Sequence, residues 1–400
     1  MEIKIEKLDD FGRGICYIDN KVTFVPNTIP NDLVEIKITK EFKNYNEGKL
    51  INILIPSKKR IEPKCPYFSK CGGCVLQNMN YQDTLEYKKE KVINIFKKNK
   101  LEINPIVIEN ANYYNYRNKI SLKVIDKKIG YYEPKSHFIV EIDSCLVASN
   151  SINKTISLIK KMGINNGLVT IRCNKNDEVL IIIESKDKLN IDVDSIKENI
   201  KLVGIVINNK LFYGEDFLYE NINGMFYKIS YDSFFQVNPY IAEKIFNIIK
   251  ENINSNETVL DIYSGVGTLS LTASMVAKKV IGIEIVENAV LNAIHNAKIN
   301  KINNVDFLLN DATKAITKLN LFFDKVIVDP PRAGLTKTVI DTIKKIKPKE
   351  IIYVSCDPQT LVRDIKLLSD LYIINKFYIA DMFSFSYHVE SVCILKINNI

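Results

Sequence analysis

The chain has 400 residues, of which 46% are hydrophobic and 26% charged, and its 55 Lys and Arg against 47 Asp and Glu give a formal net charge of +8. Four hundred residues exceed what one hydrophobic core normally organises, so two or three domains are expected. No apolar run approaches the length of a membrane span and the N-terminal residues mix both signs of charge, which argues against a membrane protein or a signal peptide and predicts a cytoplasmic protein.

The titratable residues narrow the chemistry further. Only three histidines occur in the chain, which argues against a histidine-built metal site or a Ser-His-Asp triad. Catalysis would then depend on carboxylates and thiols. The excess of basic residues favours an anionic partner, although the lysines spread along the whole chain and are equally compatible with a solvated surface.

Residues 2–55 alternate apolar and polar positions between turn signals, which is typical of short strands. We interpret residues 1–57 as a small five-stranded barrel of the oligonucleotide-binding kind. Such barrels commonly hold RNA on one sheet face, but a lone small barrel is about as often a structural spacer.

Residues 58–238 are predicted to form a central α+β domain. It begins with a basic link and a cluster of cysteines, after which residues 81–98 have the periodicity of a helix with a charged face. From about 115 to 236 the pattern is rich in strands, most clearly at 120–124 and 179–183, and predicts an antiparallel sheet interrupted by helices.

From residue 239 onward, a helix over 239–252 is followed by strands that alternate with helices and end in a hairpin near 372–397. The strands before the hairpin are predicted at 258–262, 280–285, 305–309, 325–328 and 350–354. This alternation predicts that residues 239–400 form an α/β domain with a Rossmann-like, doubly wound parallel sheet and an antiparallel edge. Ligands on such sheets bind at the carboxyl ends of the strands.

A glycine-rich turn, Asp-Ile-Tyr-Ser-Gly-Val-Gly over 261–267, follows the first of these strands. Gly265 and the next glycine let the backbone pass close to a ligand, and Glu284 at the end of the second strand is placed to accept both hydroxyls of a ribose. Thr268 stands near the third glycine of a dinucleotide motif, which disfavours a pyrophosphate and favours S-adenosylmethionine. Asp311 follows the third strand, the usual place for a carboxylate that faces the adenine amine. Each feature alone fits a plain turn or a solvated acid, and their shared spacing favours a cofactor site.

The fourth and fifth strands each end in a chemically useful side chain. Asp329 follows the fourth strand and Cys356 the fifth, so both are expected over the same sheet edge. A thiolate there can add to an electrophilic carbon, provided that helix N-terminal amides or a cation such as Arg332 or Arg363 lowers its pKa. Glu390 stands just before the last apolar strand, where half-burial would raise its pKa and suit it to accept a proton.

Together these motifs resemble those of the bacterial RNA uracil-5-methyltransferases, which make 5-methyluridine in 23S rRNA and in the T-loop of tRNA. The resemblance covers essentially all 400 residues. It is carried by the motifs Phe-Phe-Gln-Val-Asn at 234–238, Asp-Ile-Tyr-Ser-Gly-Val-Gly at 261–267, Asp-Pro-Pro-Arg at 329–332, Ser-Cys-Asp-Pro at 355–358 and His-Val-Glu at 388–390.

The resemblance implies a covalent mechanism. Cys356 adds to C6 of uracil, C5 takes the methyl group from the sulfonium of S-adenosylmethionine, and Glu390 removes the C5 proton so that the cysteine is eliminated. The resemblance also implies that the cofactor is contacted by Gln236, Tyr263, Glu284 and Asp329, with Asp311 as a further contact.

Three thiols lie within ten residues in the segment Cys65-Pro-Tyr-Phe-Ser-Lys-Cys71-Gly-Gly-Cys74, and the glycines let the backbone curl around a common centre, as in a metal site. The resemblance supplies Cys145 as a fourth ligand. Four thiolates would also satisfy zinc, but the family pattern implies a [4Fe-4S] cluster. Because methyl transfer requires no redox step, we interpret the cluster as a structural clamp.

The resemblance also bears on the substrate. Residues 9–15 resemble the TRAM domain of RNA-modifying enzymes, and the alternating aromatic and basic residues at 113–119 offer stacking and phosphate contacts, unless the tyrosines belong to a core. The enzyme is expected to extrude the target base from its stack. A TRAM domain together with cluster cysteines favours a uridine of 23S rRNA over one of tRNA, because the simplest tRNA enzymes of the family lack both. RNA is the expected partner, with no membrane, and the chain is expected to act as a monomer.

Two other functions stay open. Adenine N6 methyltransferases carry Asp-Pro-Pro followed by an aromatic residue, but Arg332 holds that position here and such chemistry needs no cysteine. A non-catalytic RNA-binding protein built on a decayed methyltransferase is the other alternative. The intact Cys356, Glu390 and glycine turn argue against it.

Overall fold

The structure is a computed structural model that describes residues 1–318 and 322–398. Its first unit is a curled six-stranded sheet with the order β1-β5-β6-β4-β3-β2. The strands are β1 (Glu2–Lys4), β2 (Lys7–Leu8), β3 (Gly14–Ile18), β4 (Lys21–Val25), β5 (Leu33–Glu41) and β6 (Tyr45–Ile55).

The N-terminal segment closes this sheet into the predicted barrel. Strands β1 and β2 are consecutive in the chain yet pair with opposite ends of the sheet, β1 with β5 and β2 with β3. The chain bends between them at Ile5, whose side chain is fully buried in the barrel core. The predicted five strands are therefore six short ones, because one bent segment supplies two of them.

The central part contains a seven-stranded sheet with the order β10-β9-β8-β11-β12-β13-β14 and a separate hairpin, β15-β16. Its elements in chain order are α1 (Tyr81–Lys98), β7 (Ile106–Ile108), β8 (Lys119–Ile125), β9 (Lys128–Tyr132), β10 (Ile139–Glu141), α2 (Asn150–Ile159), β11 (Gly167–Cys173), β12 (Glu178–Ser185), α3 (Val193–Asn199), β13 (Lys201–Ile207), β14 (Lys210–Gly214), β15 (Phe217–Ile222) and β16 (Met225–Ser230). One pair departs from the predicted antiparallel pattern: β12 and β13 are parallel, because α3 carries the chain back before β13 begins.

The C-terminal part is an eight-stranded sheet with the order β19-β18-β17-β20-β21-β23-β22-β7. Its elements are α4 (Pro239–Glu251), β17 (Thr258–Ile262), α5 (Thr268–Ser274), β18 (Lys279–Glu284), α6 (Glu287–Ile299), β19 (Val305–Leu309), α7 (Ala312–Lys318), β20 (Lys325–Val328), α8 (Lys337–Ile346), β21 (Glu350–Ser355), α9 (Pro358–Leu368), β22 (Tyr372–Ala380) and β23 (Glu390–Ile397).

Strands β17 to β21 are parallel to one another, and apolar cores cover both faces of the sheet. The predicted doubly wound fold is thus confirmed. The antiparallel strand, however, lies inside the sheet and not at its edge. The hairpin folds back so that β23 inserts between β21 and β22, and β7 then pairs in parallel with β22 and forms the edge.

The three parts of the chain share their packing. Helix α1 buries Val92, Ile95 and Phe96 in the core on one face of the C-terminal sheet, and hairpin β15-β16 buries Tyr227 in the core on the other face. No helix within residues 1–318 and 322–398 is both long and apolar enough to cross a membrane.

Candidate active site

Three side chains meet at the carboxyl ends of two neighbouring strands. Asp329 directly follows β20 and Cys356 directly follows β21, and these strands pair in parallel. Strand β23 pairs antiparallel with β21, with Ser355 opposite Ser391. Glu390, which begins β23, therefore lies beside the turn that carries Cys356.

Burial controls the charge state of the thiol. Burial first, and then the nearby charge of Glu390, raise the pKa of Cys356 to about 11, and the positive charge of Arg332 offsets only part of this effect. The lowered pKa that a nucleophilic Cys356 requires is therefore not reached with these groups alone. The helix amides are unavailable because the Asp357 carboxylate accepts hydrogen bonds from the amides of Gln359 (2.8 Å) and Thr360 (3.2 Å).

Arg363, the other candidate cation, points elsewhere. Its Nε donates to Oδ1 of the fully buried Asp364 at 2.8 Å, and its Nη2 donates to the carbonyl oxygen of Ala333 at 2.9 Å. Its role is to fix the loop before α8. Arg332 is thus the cation that acts on Cys356.

The two carboxyl groups beside Cys356 hold protons more tightly than ordinary acids. Glu390 is 4% exposed, and burial together with the neighbouring charge of Asp329 raises its pKa well above the usual range, against the opposing effect of Arg332. Burial also raises the pKa of Asp329. Two acids this close in a dry site do not both ionise readily, so the pair holds a proton near neutral pH.

The glycine turn after β17 has one open side and one packed side. Gly265 has φ +54°, and a Cβ atom there would meet nothing within 4 Å. Gly267 has φ +85°, and its Cβ would lie 2.9 Å from Cζ of Phe307. Such backbone angles favour glycine, and the open side leaves room for a ligand against the backbone.

Glu284 is fixed by backbone donors at the end of β18. Its Oε2 accepts a hydrogen bond from the amide of Gly265 at 2.9 Å, and its Oε1 accepts from the amides of Ile285 (2.7 Å) and Val286 (2.9 Å). Both acceptor positions of Oε1 are thus occupied, whereas Oε2 keeps one position for a hydroxyl group. The carboxylate is thereby pointed across the open side of the turn.

Tyr263, Asp311 and Gln236 complete the set of predicted cofactor residues. Tyr263 is half-buried with φ 70°, and its pKa is raised by burial and by the neighbouring charges of Asp311 and Glu284. Asp311 caps α7, where Oδ1 accepts from the hydroxyl of Thr313 and from its amide at 3.0 Å, and these bonds, first that of the hydroxyl, lower the pKa of Asp311. Gln236 is half-buried in the segment before α4, where its carbonyl oxygen accepts from the Asn118 side chain at 3.2 Å.

Some polar groups at the site were not singled out from the sequence. Asp261 is fully buried under the glycine turn, where Oδ2 accepts from Ser270 Oγ at 2.5 Å and Oδ1 has no partner among the described residues. Burial raises the pKa of Asp261 to about 7. Burial and nearby cations, first Arg332, lower the pKa of His388 to about 4, so its ring is neutral. For Asp261, the only signal in the sequence is its position in the strand that leads into the glycine turn.

The segment before Glu390 is held by a buried ion pair that the sequence did not indicate. Lys88 Nζ lies 2.6 Å from Asp381 Oδ1, both side chains are 1% exposed, and Lys88 also donates to the carbonyl oxygen of Phe383 at 2.8 Å. The hydroxyls of Tyr81 (2.8 Å) and Ser384 (2.6 Å) donate to Asp381 Oδ2. A lysine in a charged helix looks like a surface residue until its partner, 293 positions away, is known.

All four predicted metal ligands line one cavity of about 70 Å³: Cys65, Cys71, Cys74 and Cys145. Burial raises the pKa of the Cys71 thiol to about 11 and that of Cys74 to about 12. No group of three or more His, Cys, Asp or Glu side chains in the described part of the chain is placed to hold a metal ion. The four thiols therefore face one common space.

The barrel and the cysteine segment both reach the candidate site. The amides of Val75 and Leu76 donate to the carbonyl oxygen of Phe385, each at 3.0 Å. From the barrel, the Phe11 ring packs edge-on against Tyr387 at 5.5 Å, and Asp10 accepts from the Gln359 side chain at 3.3 Å.

A doubly wound sheet with a glycine turn after one strand, an acid after the next and a thiol beside a buried acid at its edge is typical of an S-adenosylmethionine-dependent methyltransferase. The sequence profile described as tRNA (Uracil-5-)-methyltransferase matches residues 80–398, and the profile of the TRAM domain matches residues 1–51. The chain therefore belongs to the tRNA (Uracil-5-)-methyltransferase family, as the motifs predicted.

Individual relatives agree with the profiles. An uncharacterized RNA methyltransferase of Clostridium acetobutylicum is 36% identical over 446 aligned residues, which cover 99% of this chain and 96% of that protein. One of Listeria monocytogenes is 33% identical and covers 100% of this chain and 98% of its own. The crystal structure of the Pyrococcus abyssi tRNA (uracil-54, C5)-methyltransferase in complex with S-adenosyl-L-homocysteine superposes with a TM-score of 0.82 at 28% identity, covering 99% of this chain and 100% of that one.

Proposed function

We propose that this protein transfers a methyl group from S-adenosylmethionine to C5 of a uridine in 23S rRNA. The observation that carries the proposal is the meeting of a thiol, Cys356, with a buried acid, Glu390, at the carboxyl edge of a methyltransferase sheet. Methylation of an amine would use neither group, and a binding module would not need to bury them together.

In this proposal the cofactor lies across the open side of the glycine turn. Glu284 accepts from the ribose hydroxyls, the Gly265 backbone and Tyr263 line the turn, and Asp311 faces the adenine. Gln236 and Asp329 contact the cofactor where it approaches the reaction centre. The bound cofactor supplies an electrophilic methyl group on a positively charged sulfur. Support comes from the backbone donors that aim Glu284 and from the absence of contacts around a Gly265 Cβ.

The Cys356 thiolate adds to C6 of the uracil, and the electrons of the C5–C6 double bond move to C5 and O4. C5 then takes the methyl group, and the methyl–sulfur bond breaks with its electron pair staying on sulfur. The Glu390 carboxylate removes the remaining C5 proton, the double bond re-forms, and the C6–sulfur bond breaks to release the thiolate. The net reaction exchanges the C5 proton for a methyl group.

The raised pKa values of the resting site fit this sequence. A positive charge brought beside Cys356 and Glu390 lowers the pKa of both groups, because it favours their anionic forms. The cationic cofactor would add such a charge to that of Arg332. The nucleophile and the base are thus activated mainly after the cofactor has bound, which protects the thiol before then.

The first test is to incubate the protein with methyl-labelled S-adenosylmethionine and unmodified 23S rRNA or tRNA, digest the RNA to nucleosides and identify the label. We expect 5-methyluridine with 23S rRNA. Cys356→Ala should abolish the label, whereas Cys393→Ala, which removes a buried thiol from the core, should retain it. Label on adenosine, or no label with either RNA, would contradict the proposal.

Glu390→Gln tests the second half of the mechanism. This variant keeps the nucleophile but cannot take the C5 proton, so the methylated base should stay attached to Cys356. A protein–RNA band that survives denaturing electrophoresis and disappears when Cys356→Ala is added to the same chain is the expected result. An inactive variant without that band would show that Glu390 acts before the covalent step.

A tRNA uridine is the second candidate substrate, and one observation favours it. The P. abyssi enzyme is named as acting on uracil-54 of tRNA and aligns over its whole length, so the barrel and central domain do not by themselves select rRNA. Label in tRNA and not in 23S rRNA would identify this alternative.

We further propose that the four cysteines hold a [4Fe-4S] cluster with a structural role. The proposal is supported by the four thiols lining one cavity, since four Cys thiolates are the usual ligands of such a cluster. Iron and sulfide analysis should give about four of each per chain. Cys145→Ser should lose them and lower the melting temperature, and one zinc per chain without sulfide would contradict the proposal.

The proposed organisation is three domains, an RNA-binding barrel at 1–57, a cluster-bearing central domain at 58–238 and a methyltransferase domain at 239–400. We propose that the chain acts as a monomer in the cytoplasm. Light scattering of the purified protein at about 46 kDa would support the monomer, and the chain mass is 45.8 kDa.

A further inference from the structure

The two faces of the central sheet differ sharply in chemistry. Strands β8 and β11 pair antiparallel. On one face of the sheet, Ile120 and Leu122 of β8 and the opposite residues of β11 are buried in a core that also contains residues of α2. The residues between them point to the other face. These are Lys119, Ser121 and Lys123 on β8, which stand opposite Arg172, Thr170 and Leu168 on β11.

Arg172 is the buried end of this second face. Its side chain is 3% exposed and Nη2 donates to the carbonyl oxygen of Ser233 at 2.7 Å, while Nε and Nη1 are buried with no partner among the described residues. Asp232 and Glu220 influence it electrostatically, but neither forms an ion pair with it in the described part of the chain. A buried guanidinium with two unpaired donors is costly unless an anion completes it.

Two more cations adjoin Arg172. Lys119 is its direct partner across the ladder and is half-buried, and Arg117 Nε donates to the carbonyl oxygen of Lys119 at 3.0 Å. Beyond them, Ser121 and Thr170 share a 2.8 Å hydroxyl contact near the surface, and Lys123 follows on the same face. Positive and hydroxyl donors therefore run in a row from the surface to Arg172.

This row ends at the candidate active site. Arg172 holds the carbonyl oxygen of Ser233, and Asn118, next to Lys119, donates its amide to Val237 at 2.9 Å and its side chain to Gln236 at 3.2 Å. The row thus borders the segment that presents Gln236. A group bound at Arg172 would lie beside this segment, which leads to Gln236.

We propose that this face binds the phosphodiester backbone of the RNA, with Arg172 and Lys119 on a phosphate next to the extruded uridine and Lys123 on one further along. The inference rests on the proposed function, since it names how the substrate of that reaction is held. A ligand with a single carboxylate, such as the cofactor, would need only Arg172 and Lys119 at the inner end of the row. Donors that repeat along the row match an anion that repeats, as phosphates do along an RNA strand. Phosphate contacts of this kind position a nucleic acid without reading its sequence.

The test compares charge-removing variants on the two sides of the sheet. Lys119→Gln and Lys123→Gln should each weaken binding of a fluorescent, unmodified 23S rRNA or tRNA transcript several-fold and reduce the slope of log affinity against log salt by about 0.7 per lost contact. Lys154→Gln, on the exposed side of α2 behind the sheet, is the matched control and should change neither. S-adenosylmethionine affinity and melting temperature should stay at wild-type values for all three.

Arg172 is tested by Arg172→Lys, which keeps the charge but loses the forked donors, and by Arg172→Gln. Both should weaken RNA binding about tenfold or more, Arg172→Gln the more strongly. Because a buried arginine variant can fail to fold, RNA with an uncharged methylphosphonate at single positions beside the methylated uridine provides a test on the wild-type protein. A methylphosphonate at one of these positions should weaken RNA binding by the wild-type protein. The same substitution should cause a smaller loss of RNA affinity in Arg172→Lys, which has already lost part of that contact.

The outcomes separate this inference from the proposed reaction. RNA binding that depends on Lys119 and Lys123, without any 5-methyluridine formed, would retain the phosphate face and reject the reaction. Normal 5-methyluridine formation with unchanged RNA affinity in every variant would reject the phosphate face alone. Weaker S-adenosylmethionine binding as the only effect of Arg172→Lys, or a lower melting temperature as the only effect, would also overturn it.

Discussion

Single residues at this site owe their properties to their surroundings. Cys356 and Glu390 are ordinary ionisable groups by type, but burial raises the pKa of each, the charge of Glu390 also raises that of Cys356, and Arg332 opposes both shifts. Asp329 adds to the repulsion from the neighbouring strand end. Such clustering of perturbed groups is typical of catalytic sites.

The activity should therefore rise with pH. The proposed reaction needs the anionic forms of Cys356 and Glu390, and both pKa values are raised, so kcat/KM should increase from pH 6 to pH 8, by about tenfold per pH unit for each of the two groups that titrates above this range. Arg332→Met removes the cation that lowers both values, so it should reduce kcat/KM at neutral pH and move the rise to higher pH. The exposed Lys366→Met serves as the control, and a profile that falls with pH would contradict this assignment of charge states.

At the scale of elements, the turn after β17 combines a structural glycine with a binding glycine. Both residues have positive φ, but only Gly267 is packed against a neighbour, the Phe307 ring. Gly265 instead lines open space and donates its amide to Glu284.

Alanine at these two positions should separate stability from binding. Gly267→Ala should lower the free energy of unfolding by about 2–4 kcal/mol, because left-handed strain adds to the contact with Phe307. Gly265→Ala should cost only about 1 kcal/mol but weaken S-adenosylmethionine binding about tenfold or more, because its methyl group enters the ligand space. Denaturant unfolding and calorimetry measure the two effects, and equal loss of stability in both variants would contradict the distinction.

The buried ion pair that joins α1 to the loop before Glu390, Lys88 with Asp381, should contribute measurably to stability. Lys88→Met leaves the Asp381 carboxylate buried without its cation and should cost about 3–5 kcal/mol of unfolding free energy. Lys344→Met breaks an exposed pair, with Lys344 Nζ 2.8 Å from Asp370 Oδ1, and should cost less than about 1 kcal/mol. Similar losses in both variants would show that the Lys88 pair is not energetically distinct.

For the whole molecule, the site depends on all three parts of the chain. The barrel contributes Phe11 beside Tyr387, the cysteine segment bonds to Phe385, and α1 anchors Asp381, so the loop before Glu390 is braced from three sides. Loss of the cysteine cluster should therefore affect catalysis through this loop, in addition to stability.

The protein without ligands should become less stable as pH rises from about 5 to 8. Burial raises the pKa of Asp261 and of Glu220 to about 7 each, whereas both would ionise near pH 4 in the unfolded chain. The folded state therefore binds more protons in this range, and the stability present below the unfolded pKa is lost as pH rises through the folded one.

For Asp261 alone, the difference between its pKa in the folded and the unfolded chain corresponds to about 4 kcal/mol of unfolding free energy. Asp261→Asn should flatten part of the fall in melting temperature, and the exposed Asp194→Asn should leave it unchanged. A melting temperature that rises across this range would contradict the buried, protonated state of Asp261.

The sequence alone was enough to predict the strands that carry the site. The boundaries predicted for β17, β19 and β20 agree with the structure, and in β17 and β20 this is because buried parallel strands are largely apolar runs between turn residues. Asp329 and Cys356 were recognisable for the same reason, since each stands directly after such a run. The family followed from their order along the chain.

Tertiary structure alone decided what depends on distant neighbours. Local patterns do not show that β12 and β13 run parallel or that β7 joins the C-terminal sheet, because strand pairing joins residues far apart in the chain. The raised pKa of Cys356 and the unpaired donors of Arg172 are likewise set by groups from other elements. The local sequence determines which chemical groups stand at a strand end. How deeply a group is buried and which charges surround it depend on many residues that are distant in the sequence, and only the tertiary structure brings those residues together.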